Sequence, residues 1–185
     1  CSLDSHSHAS VRRLSQRYIR CIDMNPVKKL LEDIQNGFVL DPDGDKLTFE
    51  GNPSIEPFSL SEVESELRQS IPKDIGCFIG TFGGMRLYVD CYGLGARILH
   101  AQEIQFHNIE QQKTTQPFWP EFMIFGYSST DDMLVLHLSD NAIKFGVLDH
   151  EAWGEPDLWA SEAVTWYKFE NWLSHFVQTR GEFWV

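Results

Sequence analysis

Hydrophobic and polar positions are most sharply segregated between residues 119 and 153. Three apolar runs, at 122–127, 133–138 and 143–148, are separated by Ser128-Ser-Thr-Asp-Asp132 and by Ser139-Asp-Asn141. Runs of this length, rich in Phe, Ile, Val and Leu and bounded by Asp, Asn and Ser, predict strands. The breaks are too short for a parallel crossover, so the three are predicted to pair antiparallel as a meander.

Elsewhere the apolar spacing changes to the helical period. Val27, Leu30, Leu31 and Ile34 form one face of a predicted helix, with Asn25 as cap, Pro26 in the first turn and Gly37 as stop. The runs at 38–40 and 47–49 then flank Asp43-Gly44, a hairpin signal. Asp41, Asp43 and Asp45 imitate the start of a calcium loop, but Lys46 replaces the required Gly and Asn52 the required Glu, so the stretch reads as a turn. Ser59 with Glu62, or Ser61 with Glu64, fits a capping box opening a helix lined by Leu60, Val63 and Leu67. Ser70 is expected to cap the next helix, whose stripe is Ile71, Ile75, Phe78, Ile79 and Phe82, stopped by Gly83-Gly84. Residues 85–90 read as a strand and 93–98 as a bulged hairpin turn, since a dinucleotide glycine loop would need Gly at Ile98. Residues 101–112 fit helix or strand. A last helix is expected over 165–179, with Phe169, Trp172, Leu173, Phe176 and Val177 inward. Ahead of all this, 1–10 is a Ser/His-rich tail and 11–24 a basic amphipathic stripe.

Charge narrows the function classes. The net charge of -12 opposes nucleic-acid binding, which needs a cationic face. It is unevenly spread: residues 1–100 hold 11 Lys/Arg against 14 Asp/Glu, and residues 101–185 hold 4 against 13. Any electrostatic partner face therefore belongs to the second half. Cys1, Cys21, Cys77 and Cys91 form no C-x-x-C pair, so a zinc ribbon is disfavoured. Cys77 reads as a small buried apolar residue. No apolar stretch is long enough to span a membrane, and a reducing cytoplasm is the expected compartment.

The order of three motifs carries a family resemblance. Ile71, Pro72, Asp74, Ile75, Phe78, Ile79, Phe82, Gly83 and Gly84 come first, the strand pair from Phe122 to Leu138 second, and Asp149-His150-Glu151 third. Together they resemble the SUKH superfamily, which groups a yeast cell-wall-assembly regulator with bacterial immunity proteins. The resemblance implies an α+β fold, an antiparallel sheet with helices packed against it, over residues 58–185, with 1–57 as an N-terminal extension. It also implies a protein-binding module rather than an enzyme, with no cofactor and no metal. The expected partner is a cognate protein toxin with a basic surface, which an acidic antidote would meet by charge complementarity.

The residues expected to form that acidic and aromatic contact face are Asp131, Asp132, Asp149, Glu151, Trp153, Glu155 and Asp157. A regulatory scaffold of the wall-assembly type is the alternative. An enzyme would need His150 to find His100, His107 or His137 around a metal, or Cys77 or Cys91 to pair with one of those histidines, and no motif marks either arrangement. Direct nucleic-acid and membrane binding are not expected.

Overall fold

The computed structural model describes residues 24–54, 60–68, 70–114, 122–139, 142–152 and 166–182. They form an α+β fold. Eight strands make a single antiparallel sheet in which every strand pairs with its sequence neighbour: β1 (Phe38–Leu40), β2 (Lys46–Glu50), β3 (Arg86–Val89), β4 (Ala96–Ile98), β5 (Phe122–Tyr127), β6 (Met133–Ser139), β7 (Ala142–Leu148) and β8 (Tyr167–Lys168). Five helices are described: α1 (Asn25–Asn36), α2 (Ser61–Leu67), α3 (Lys73–Phe82), α4 (Ala101–Thr114) and α5 (Phe169–Gln178). The central meander has the three expected strands and the first expected break; Ser139 joins the second strand, and Asp140 and Asn141 lie outside the described residues. The segment expected as a separate extension supplies α1, β1 and β2 to the same sheet. The expected basic helix, apart from Met24, and the loop at 116–120 lie outside the described residues.

The core lies between one sheet face and the helices. Leu136 is in register with Phe145, so the two point to the same face. Trp172 of α5, fully buried, stacks on Phe145 at 4.0 Å between ring centroids. Phe78 of α3 meets Trp172 edge-on at 6.1 Å. On the opposite face Phe122 stacks on His137 at 4.7 Å, with Trp166 beside both. At the edge strand β1, half-exposed Phe38 is covered by the ammonium of Lys46.

Several local expectations shift. Helix α1 is capped by the Met24 backbone with no side-chain bond, one residue before the expected Asn25. Of the two expected capping boxes, Ser59 lies outside the described residues, and in the other Glu64 instead accepts the Ile71 N–H at 2.8 Å and ties α2 to the start of α3. Helix α3 starts after Pro72 rather than at Ser70, as an extended Pro72 leads into it. The last helix starts at Phe169, because Tyr167 and Lys168 are spent pairing with β7. Cys77 is half-buried and disulfide-bonded rather than a free core thiol.

One pairing fixes where the functional end sits. Strand β4 is only three residues long, and its ladder to β5 ends where Leu99 N donates to Phe125 O. Beyond it, Ile124 would present a bare N–H and C=O inside the core. The fully buried side chain of Asn108, on α4, takes both: its Nδ2 donates to Ile124 O at 2.9 Å and its Oδ1 accepts Ile124 N at 2.9 Å. A side chain amide here replaces a residue of strand. Just beside it, Gly126 lies so close to β4 that a Cβ would sit 2.5 Å from Arg97 O, so only glycine fits.

Replacing Asn108 by Ala strands two buried backbone groups. The expected loss is about 2–6 kcal/mol, at roughly 1–3 kcal/mol for each of the two orphaned groups. Urea unfolding of Asn108→Ala measures it, and an unchanged midpoint would refute the role.

Candidate functional site

Glu50, Arg86, Arg97, Tyr127, Met133 and Leu148 follow one another in register across the sheet. The chain leaves the sheet just past this row, at Ser128 after β5 and Asp149 after β7, and re-enters it from Asp132. The sheet is thereby cut off along one line, and the loops there form a common end surface.

The β5–β6 turn is built on Ser128, whose side chain is buried. Its hydroxyl accepts the backbone N–H of Thr130 and of Asp132, both at 3.1 Å, while Ser128 N donates to Asp132 O at 2.8 Å. Asp131 takes the left-handed conformation that closes the turn, with φ 63. Its carboxylate is exposed, whereas that of Asp132 turns toward the next loop.

There Asp132 Oδ1 accepts the His150 backbone N–H at 3.2 Å and lies 3.0 Å from His150 Nδ1. His150 opens a short 3-10 turn in which Glu151 N donates to Asp149 Oδ1 at 2.8 Å. The bond from Asp132 raises the pKa of the exposed His150, with further help from the charges of Asp132, Asp149 and Glu151. Partial burial would raise Asp132, but the hydrogen bonds from Thr130 and His150 outweigh it and hold the carboxyl below its ordinary value. Ligand atoms of Asp132, Asp149 and His150 all lie within 4.8 Å of one another, a spacing a divalent cation could bridge. The Thr130 hydroxyl donates to Asp132 Oδ2 at 2.6 Å, on the carboxylate and not on the imidazole. His150 is thus not placed to take a proton from it, as nucleophilic catalysis would require.

The β3–β4 hairpin overhangs this end, since β3 continues past the row to Val89. Asp90 organises its tip: Oδ1 accepts the N–H of Tyr92 and of Leu94, each at 2.8 Å. Tyr92 is left 84% exposed and Leu94 48% exposed, so the hairpin tip presents two large side chains to solvent. Between the hairpin and the β5–β6 turn lies an open concavity of about 360 Å³, lined by Arg86, Leu94, Gly95, Arg97, Ser128, Ser129 and Asp131. Arg86 bonds Glu50 and Gly93 O, and Arg97 bonds Glu103. Behind it Tyr127 Oη lies 3.2 Å from His107 Nδ1. Burial, reinforced by Arg97, lowers the His107 pKa and favours the neutral ring beside the tyrosine hydroxyl.

Of the expected contact residues, Asp131, Asp132, Asp149 and Glu151 come together here from two separate loops. Trp153, Glu155 and Asp157 lie outside the described residues. Ser128, Tyr92, Leu94, Arg86 and Arg97 join this end without being marked as site residues by the sequence pattern. The Asp90-x-Tyr-Gly spacing, a carboxylate able to cap its own turn, was the available signal for the hairpin tip. His107 and His137 are held elsewhere, by Tyr127 and by Phe122, and do not meet His150. Compared with protein-family models, with curated proteins and with solved structures, the chain has no match.

The His150–Asp132 pair sets a pH window. Its contribution to stability is full below the imidazole's unfolded pKa and is lost as pH rises through the raised folded value. For Asp132 it is present above the unfolded carboxylate pKa and is lost as pH falls through the lowered one. An NMR titration should place His150 above the usual imidazole range, and Asp132→Ala should bring it back down. Equal values in the two proteins would contradict the pairing.

Proposed function

We propose that this chain is a non-enzymatic protein-binding module that captures a basic protein partner on the loop end of its meander. The observation that carries this reading is the convergence of Asp131, Asp132, Asp149 and Glu151 from two separate loops onto one surface, with the nearby arginines already paired to Glu50 and Glu103. Negative potential is thereby concentrated where the chain also exposes apolar side chains. Such a surface speeds and orients association with a cationic partner. Within this class, the motif order shared with the SUKH superfamily favours an immunity protein that neutralises a cognate toxin, a nuclease with a basic cleft being the natural target. The same surface would serve a scaffold of the wall-assembly type if the partner were a host protein. Among the described residues no helix is long and apolar enough to cross a membrane.

The test is affinity capture from the native organism with the tagged chain, followed by mass spectrometry. The expected result is one polypeptide with a basic domain, retained stoichiometrically by the wild type and lost, at least tenfold, by the variant Asp131→Lys/Asp149→Lys/Glu151→Lys. Retention should fall with added salt and strengthen as pH rises through the His150 titration, when the site sheds a positive charge. A partner held equally by the charge-reversed chain would show that this end is not the docking face.

The immunity reading carries a cytoplasmic site of action with it, and disulfides are uncommon there. The state of Cys77 tests that part. Alkylation of the denatured, unreduced chain should label the exposed Cys91 and spare Cys77. If Cys77 is also labelled in chain quenched directly from cells, the thiol is reduced at its site of action and a cytoplasmic role gains support.

A further inference from the structure

The concavity between the β3–β4 hairpin and the β5–β6 turn is not needed by either loop for its own closure. Each turn is completed by internal hydrogen bonds, from Asp90 in one and Ser128 in the other. Its walls combine the half-exposed Leu94 with two guanidinium groups. Arg86 and Arg97 are partly exposed, at 38% and 49% of their side chains, and their nitrogens are engaged by Glu50, Gly93 O and Glu103. Guanidiniums pinned through their edges are suited to stacking against a ring, and an aliphatic wall completes an aromatic slot. They also disfavour a cationic side chain inside the slot itself, whereas Asp131 at its mouth and the acids beyond favour cations around it.

We propose that this concavity is an anchor pocket for one aromatic side chain of the partner, flanked in the partner by lysine or arginine. The inference rests on the reading of the acidic end as a docking face and adds the specificity that charge alone does not give. Interfaces draw most of their affinity from a few aromatic anchors in pockets, with charges around them. About 360 Å³ is ample room for one ring.

The probes are two amidated pentapeptides, Lys-Lys-Trp-Lys-Lys and Lys-Lys-Ala-Lys-Lys, followed by amide chemical shifts of the isotope-labelled full chain at low salt. The tryptophan peptide should move Gly95, Ser128 and Ser129 along with the acidic loops, and should bind about tenfold more tightly than the alanine peptide, the factor a stacked ring of roughly 1.4 kcal/mol supplies. Ser129→Trp, which fills the slot from an open turn position, should abolish that preference while leaving the alanine peptide's affinity intact. Spectral dispersion of the free variant verifies its fold, and Leu94→Ala provides a second, milder reduction of the preference. Equal affinity of both peptides, with shifts confined to the acidic loops, would overturn the pocket and leave the docking face standing. No shifts at the acidic loops with either peptide would overturn both.

Discussion

The geometry of the loop end depends on one side-chain amide. Strand β4 stops after three residues, and without a substitute the neighbouring strand would carry unpaired peptide groups into the core. Asn108 supplies that substitute with a donor and an acceptor in the spacing a strand would offer. Because it sits on α4, the same contact fixes the helix against β5. That in turn seats His107 against Tyr127 and Glu103 against Arg97. The walls of the concavity therefore inherit their positions from a polar contact buried several residues away. A wholly apolar packing of α4 would hold the helix less uniquely, since apolar contacts have no direction.

The sheet was largely readable because its strands announce themselves locally. Phe122, Ile124, Met133, Val135 and their neighbours are long apolar runs between polar breaks, and the short breaks dictate antiparallel pairing. Two departures occur where a tertiary partner displaced a local one. Glu64 could have closed a capping box but found the Ile71 N–H. Tyr167 and Lys168 fit the helical period of the segment that follows, yet β7 offered them a ladder. Residues 101–114 are helical although their apolar residues follow no clean stripe, and the reason is Asn108, a polar residue that periodicity counts as outward. The hairpin at 38–50 was legible as a hairpin but not as the first two strands of the common sheet, since pairing between β2 and β3 joins residues some forty positions apart.

The site was legible in part, and the division is instructive. Asp131, Asp132, Asp149 and Glu151 could be picked out as acids at strand ends, because a meander returns alternate loops to the same end. What the sequence does not display is the bond between Asp132 and His150, eighteen residues apart, which turns two acidic loops into one surface. Ser128 looks like any polar turn residue until the structure shows its hydroxyl serving two backbone amides. Tyr92 and Leu94 read as ordinary apolar residues, and only the Asp90 turn, with the overhang of β3, leaves them facing water. Exposure is a property of topology, and a linear pattern carries it poorly.

The order of the sheet has a consequence for how the molecule comes into being. Strand follows strand across it with no crossover, so each ladder joins a strand to the one before it in sequence. The entropic cost of assembly stays small at every step, and a growing chain can lay down its sheet from one edge as it emerges during synthesis. Part of the core's cover follows the sheet in sequence. Trp172 and Phe176 of α5 fill the aromatic cluster over Phe145, so a nascent chain carries all eight strands with that part of the core still open until α5 follows. During that interval Phe145 and its aromatic neighbours lack their cover, and the chain is more prone to sticking to others.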